Sequence, residues 1–407
     1  MVAAGVLILG AGQAGLQLAA SLRQGGYAEP ITLVGDEADP PYQRPPLSKA
    51  YLTGRDDDAA LMLRAPGFYA DHAITLRLGE TATAIDRAAR QVRLASGAAL
   101  AYDQLVLATG ARHRGLAVAG IAQDGVVALR TLAEARALRP RLAAARRLAI
   151  IGAGFIGLEV AAVATAAGVA VEVVEATTHP MARALSGEMA QVFTRAHRAA
   201  GVRFHFGAVV SRILGDGAAT GVETSDGATI PADLVLVGIG VVPNAELAAA
   251  AGLSVSNGIV VDEQLATADP LISAVGDCTA YPSRFGHGMV RLESVQNAVD
   301  QAKCLAARLL GRPAAYDAVP WFWSDQGSLK LQIAGLGAGH DRTVRRGDPD
   351  GERLSVFCFR GDTLLAVESL NSPGDHMAVR RLLAGRVPLT PDQAADPACD
   401  LRKLAAG

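Results

Sequence analysis

Gly10-Ala11-Gly12-Gln13-Ala14-Gly15 and Gly152-Ala153-Gly154-Phe155-Ile156-Gly157 are two copies of a G-x-G-x-x-G fingerprint, far apart in the 407-residue chain. In such a fingerprint the first glycine permits a tight turn, the second lets the backbone approach a pyrophosphate, and the third lets a helix pack close to a strand. The pyrophosphate then rests on unpaired N–H groups at the positive end of that helix. Each copy follows a short apolar stretch, Val6 to Leu9 and Leu148 to Ile151, and opens a helical run. One fingerprint is a weak signal. Two, each in a strand–turn–helix setting, imply that the chain holds two nucleotides at once, most economically a nicotinamide passing hydride to a flavin.

The residue closing the second strand of each unit reports on the ribose, because a carboxylate there accepts from ribose hydroxyls and disfavours a 2′-phosphate. In the second unit it is Glu175, with Arg183 the nearest arginine, a pattern that favours NADH over NADPH. In the first unit Gly35 takes that place and Asp36 and Glu37 follow. Asp36 is the preferred contact, and Glu37 remains open if the strand end bulges. Lys49 ends a loop stiffened by Pro40, Pro41, Pro45 and Pro46. A lysine held near N5 of a flavin would stabilise negative charge on the reduced ring. Glu159 stands two residues beyond the second fingerprint, in the predicted first turn of its helix, where it would pair with Lys49 as the two cofactors meet. The same two residues equally suit a solvated lysine and a glutamate favoured by the helix dipole. Asp277 closes the run Ile272-Ser273-Ala274-Val275-Gly276. Its carboxylate suits a polyol chain such as the ribityl of FAD, or the N-cap of a helix. Trp321 and Trp323 are the only tryptophans, and they either fill a core or cover a cofactor.

Strands and helical patterns alternate to hold these residues, which argues for parallel α/β units. Ile31 to Val34 reads as the second strand of the first unit, and Leu105 to Ala108 as a strand ending in Thr109-Gly110. The second unit repeats the plan: Leu148 to Ile151, Val171 to Val174 ending at Glu175, then Leu234 to Val237 closing on Gly238-Ile239-Gly240. From Trp321 the texture changes to alternating stretches such as Leu354 to Phe359 and Leu364 to Val367, predicting a third, antiparallel α+β domain. Half the residues are hydrophobic and the formal net charge is −2, so no global charge calls for nucleic acid or an anionic membrane. Residues 1–22 carry no charge, but they lack a basic start and Gln13 and Gln17 interrupt them, so a secretory signal is not expected. No apolar run reaches the ~18 residues of a membrane span. Cys278, Cys304, Cys358 and Cys399 form no C-x-x-C, and a reducing cytoplasm is the simplest setting.

These motifs together resemble the FAD-dependent pyridine nucleotide–disulfide oxidoreductases, and within them the oxygenase-coupled NADH–ferredoxin reductases. The resemblance spans essentially the whole chain. Its most specific stretches are Pro45 to Leu52, Leu105 to Gly110, Gly152 to Glu159, Leu271 to Cys278, Glu293-Ser294-Val295 and Trp321 to Gln326. It implies a glutathione-reductase-like α/β fold: an FAD domain in two parts (1–112 and 240–320), an NAD domain (113–239) and a C-terminal α+β domain (321–407). For FAD it implies Gly10, Gly12, Ala14, Gly15 and Arg130 at the pyrophosphate, and Asp36 at the adenosine ribose. It further implies Ala82 on the adenine side, Lys49 and Val295 near the ring, Asp277 at the ribityl, and Trp323 at the edge facing a partner protein. For NADH it implies Gly152, Gly154, Ile156, Gly157, Glu159, Glu175, Arg183 and Gly240. Its redox-cysteine members carry their thiols early in the chain. Here no cysteine precedes Cys278 and Ser48 lies in that loop, so electrons must leave a flavin without thiols.

The expected activity is therefore hydride transfer from NADH to FAD, then release of single electrons to a small acidic [2Fe-2S] ferredoxin serving a cytochrome P450 or another oxygenase. Arg64, Lys303, Lys330 and Arg345 are candidates for a basic docking rim. A thiol-free NADH oxidase or diaphorase, and a non-catalytic FAD protein of apoptosis-inducing-factor type, are the alternatives.

Overall fold

The computed structural model describes residues 4–405 except His287, Pro349 and Glu352. It divides into two compact units, one of residues 1–43, 58–112 and 242–320, the other of 44–57, 113–241 and 321–407.

The first unit is built on a five-stranded parallel sheet in the order Ile272–Ala274, Gln104–Leu107, Val6–Leu9, Ile31–Val34, Ile74–Arg77. Val6–Leu9 is buried along its whole length, as an apolar run at the centre of a covered parallel sheet should be. Helix Gln13–Gln24 turns Leu16, Leu18, Ala19 and Leu22 inward and packs with helix Val295–Leu309. A three-stranded antiparallel sheet, Ala82–Asp86, Gln91–Leu94 and Ala99–Ala101, leads back to the closing strand Gln104–Leu107.

The second unit repeats this plan. Its parallel sheet runs Arg203–Phe206, Ala170–Glu175, Arg147–Ile151, Leu234–Val237, Val126–Val127. An antiparallel three-strand insertion again precedes the closing strand. The same unit holds the five-stranded antiparallel sheet of the C-terminal region, ordered Trp321–Gln326, Leu329–Gly335, Thr363–Leu370, Leu354–Arg360, Arg342–Gly347. Helix Pro373–Gly385 buries Ala378, Val379 and Leu382 in one core with Phe357, Phe359 and Val367 from that sheet.

The structural units follow other limits than the expected domains: the second unit takes in residues 113–241 together with 321–407, and it also claims one early segment. Residues 44–57, expected inside a continuous 1–112 domain, group with the second unit. Side chains of that segment are tied there: the Arg44 guanidinium donates to the Arg130 carbonyl (2.7 Å), and Arg139 lies 5.5 Å from the centroid of the Tyr51 ring. Local patterning registers the prolines of this segment but not which unit its side chains bond.

Candidate active site

The two fingerprints have the same backbone build. Gly10 and Gly152 adopt φ of +117° and +101°, and a Cβ on either would stand 2.0 Å from the Ala108 carbonyl oxygen or 2.5 Å from that of Gly238. Gly15 and Gly157 sit on their own turns, where a Cβ would meet the Gly10 or Gly152 carbonyl oxygen at 2.0 and 2.5 Å. The middle glycines differ. Gly12 and Gly154 are extended N-caps without a side-chain cap; a Cβ on Gly12 meets no other atom within 4 Å, and one on Gly154 meets only the Gly238 carbonyl oxygen at 3.9 Å. First and third glycines are thus needed by the fold, whereas the middle one bares a 12-residue helix's N–H groups. Both cradles therefore fit the pyrophosphate of a dinucleotide.

In the first unit, Gly35 replaces a strand-end acid for a steric reason: a Cβ there would stand 2.6 Å from Cβ of Ala11. Asp36 follows it at the surface, while the Glu37 carboxylate accepts from the Tyr42 hydroxyl (2.5 Å), which leaves Asp36 the more available acid. Gly276 packs against Ala14, where a Cβ on the glycine would stand 3.1 Å from Cβ of Ala14, and its N–H donates to Gln301 Oε1 (2.7 Å). This brings Asp277 to the first cradle's helix. Val295 is the first residue of a helix capped by Ser294, and Ala82 starts the antiparallel insertion; both are half-buried.

In the second unit, Glu175 is held by its own loop. Its Oε2 accepts from the Ala153 N–H (2.7 Å), and its Oε1 from the N–H and hydroxyl of Thr177 (both 2.8 Å). A carboxylate offers about four acceptor sites, so roughly one remains for a ribose hydroxyl rather than the two expected. Arg183 lies against Gly240, where a Cβ would meet its guanidinium at 2.9 Å. Arg130 precedes the capping box of helix Leu132–Ala144, its N–H donating to Glu134 (2.7 Å). Ile156 is the second residue of the helix that Gly154 caps.

Lys49 and Glu159, 110 residues apart, form an ion pair of 2.5 Å with side chains 20% and 6% exposed. Two expectations for Glu159 need correction. It is the fifth residue of helix Phe155–Ala166, beyond the first turn, and it is buried, so the helix dipole and solvent do not account for it. Its carboxylate also accepts from the Ser48 hydroxyl on Oε2 and from the Ser324 hydroxyl (2.6 Å) on Oε1. Ser324, Gln326 and His197 escaped the sequence analysis as functional candidates. A signal existed: Ser324 and Gln326 share one face of strand Trp321–Gln326 with Phe322, and polar groups on a face that becomes buried must find partners. Phe322 on that face packs on Phe155, with ring centroids 4.5 Å apart. Trp321 and Trp323 project to the other face, 5.5 Å apart, with Arg380 over Trp321 at 4.5 Å.

The rim candidates differ in how free their charges are. Arg64, Lys303 and Lys330 are exposed, but Arg345 is ion-paired with Glu188 (3.1 Å). Arg345 also lies on the strand at the opposite edge from Trp321–Gln326, with two strands between it and the strand of Lys330. All four cysteines are free, and burial raises the thiols of Cys278, Cys304 and Cys358 above their usual range. Among the described residues no helix is long and apolar enough to cross a membrane.

Paired dinucleotide cradles on duplicated parallel sheets, with a C-terminal antiparallel domain, define a two-nucleotide oxidoreductase. The family model described as pyridine nucleotide-disulphide oxidoreductase matches residues 4–302, and that described as reductase C-terminal matches 321–405; the chain belongs to this family. It is 55% identical to rhodocoxin reductase of Rhodococcus erythropolis, covering 98% of this chain and 93% of the relative. To putidaredoxin reductase CamA of Pseudomonas putida it is 42% identical, covering 98% and 96%. The ferredoxin reductase for the CYP199A2 system from Rhodopseudomonas palustris superposes with a TM-score of 0.97 at 50% identity, covering 98% of this chain and 99% of that one. The reductase in the covalent putidaredoxin reductase–putidaredoxin complex superposes with a TM-score of 0.96 at 42% identity, covering 99% and 98%.

Proposed function

We propose that the protein is an FAD-dependent NADH:ferredoxin oxidoreductase that supplies electrons to an oxygenase, a cytochrome P450 system among the candidates. The observation that carries this is the pair of matching cradles, each with a helix N-terminus free of side-chain caps. The relatives' names point the same way: they include rhodocoxin and putidaredoxin reductases, a ferredoxin reductase for the CYP199A2 system and the ferredoxin–NAD(+) reductase component of an anthranilate 1,2-dioxygenase system. FAD held in the first cradle would supply the exchange between the two-electron chemistry of NADH and the one-electron chemistry of a ferredoxin.

The chain's own residues bind, orient and neutralise. Residues 1–112 with 240–320 would hold FAD, residues 113–239 NADH, and residues 321–407 the C-terminal domain. Gly10, Gly12, Ala14, Gly15 and Arg130 serve the FAD pyrophosphate, Asp36 its ribose, Ala82 its adenine, Asp277 its ribityl and Val295 its ring. Gly152, Gly154, Ile156, Gly157, Arg183 and Gly240 serve NADH, with Glu175 selecting a 2′-hydroxyl. Lys49 stabilises negative charge on the reduced ring, and Glu159 keeps Lys49 oriented. Electron transfer requires proximity rather than a nucleophile, in keeping with the buried thiols of Cys278 and Cys358.

Docking of an acidic [2Fe-2S] ferredoxin would use Trp323 and the exposed cations Arg64, Lys303 and Lys330. Arg345 contributes less because Glu188 neutralises it. A cytoplasmic setting suits four free thiols. The test is anaerobic reduction of the flavoprotein by NADH and NADPH, followed by turnover against a ferredoxin panel. Preference for NADH and strong stimulation by one ferredoxin support the proposal. Oxygen or quinone as the best acceptor would favour an oxidase or diaphorase, and negligible turnover with every acceptor a binding protein.

A further inference from the structure

Glu159 is approached from the C-terminal domain by a chain of buried donors. His197, Gln326 and Ser324 are 4%, 2% and 0% exposed. Gln326 Nε2 lies 3.6 Å from the Met181 sulfur and 3.2 Å from Ser324 Oγ. A thioether cannot donate, so the amide nitrogen faces Met181 and Ser324, and Gln326 Oε1 faces His197 Nε2 at 2.8 Å. An amide oxygen only accepts, so His197 carries its proton on Nε2. The Gln326 amide donates to Ser324 Oγ, which leaves the single hydroxyl proton of Ser324 for Glu159 Oε1, 2.6 Å away. Every link therefore donates in one direction and ends on the carboxylate that binds Lys49. Donors aligned this way polarise one another in a low-dielectric interior. Burial lowers the His197 pKa and keeps the imidazole neutral, so no second charge enters the chain.

The geometry points to Ser324 and Gln326 as positioning residues for the redox centre: through the chain His197–Gln326–Ser324 the C-terminal domain locks the Glu159 carboxylate onto Lys49. Oε2 alone would let the carboxylate turn about its own axis, and Ser324 on Oε1 stops that turn. The C-terminal domain thereby sets the charge that Lys49 presents, apart from any part in partner docking. This inference rests on the proposed function, which assigns Lys49 to the flavin.

The test is made on the FAD-loaded protein by anaerobic stopped-flow reduction with NADH and by the midpoint potential of the bound FAD. Loss of one hydrogen bond to a charged group should make Ser324→Ala about tenfold slower in flavin reduction, with a lower potential. Gln326→Met, which keeps the volume and removes the amide behind Ser324, should change both in the same direction, by roughly threefold in rate. Ser324→Thr retains the hydroxyl and should return the rate to within about twofold of wild type, with the wild-type potential. Wild-type rates and potentials in both Ser324→Ala and Gln326→Met would overturn the inference alone, as would a Ser324→Thr enzyme as slow as Ser324→Ala. A wild-type protein that binds no FAD would overturn the proposed function and the inference with it.

Discussion

Alanine at Gly152 and alanine at Gly154 should fail in opposite ways. A Cβ at Gly152 would lie 2.5 Å from the Gly238 carbonyl oxygen, and φ there is +101°. The left-handed backbone costs roughly 1–2 kcal/mol for an L-residue. The forced shift of a neighbouring strand costs about 1–3 kcal/mol more. Together these lower the melting temperature by roughly 5–15 °C for a unit of this size. At Gly154 φ is −77°, an ordinary value for any residue, and the nearest atom to a Cβ is 3.9 Å away. Gly154→Ala should therefore melt within about 1–2 °C of wild type, since a strain-free Gly→Ala change mostly restricts the unfolded chain. Its methyl projects where a pyrophosphate would rest, and overpacking of about 1–3 kcal/mol should raise the NADH dissociation constant roughly 5- to 150-fold. Thermal melts of the FAD-loaded protein and NADH titration of the same samples separate the two effects. A Gly154→Ala protein that binds NADH like wild type, or a Gly152→Ala protein that melts like it, would refute the division of labour assigned to these glycines.

Three further perturbations probe the rest of the site. Lys49→Met strands the Glu159 carboxylate at 6% exposure, so it should destabilise the protein by about 3 kcal/mol and lower the flavin midpoint potential; urea melts and redox titration measure the two effects. Buried His376 has its pKa pushed down to about 4 by burial and by Arg380. A neutral folded imidazole stabilises above the unfolded value near 6.5 and loses that contribution as pH falls toward 4, about 3 kcal/mol in all. His376→Leu should therefore flatten the acid limb of stability between those pH values, read by denaturant melts at each pH. At the rim, Lys330→Glu should raise the ferredoxin KM several-fold at low salt without changing NADH reduction, whereas Arg345→Glu should raise it less, because Glu188 already neutralises that cation.

Much of the fold was legible because its signals are local. A fingerprint glycine is required by the φ of its own turn or by the strand next to it, and an apolar run of four residues such as Val6–Leu9 reports its own burial. The sequence by itself therefore determined two nucleotide-binding α/β units, an antiparallel C-terminal domain and an early loop without redox thiols. Tertiary structure decided what depends on distant partners. Gly35 is glycine because Ala11 crosses it, Glu175 spends most of its acceptors on Ala153 and Thr177, and Arg345 is spent on Glu188. Glu159 read equally well as a glutamate favoured by the helix dipole until Lys49, Ser48 and Ser324 converged on it from separations of 110, 111 and 165 residues. Backbone conformation is set by neighbours in sequence. The burial and partners of a charge are set by whichever segments the packed core brings beside it, and no local pattern carries that information.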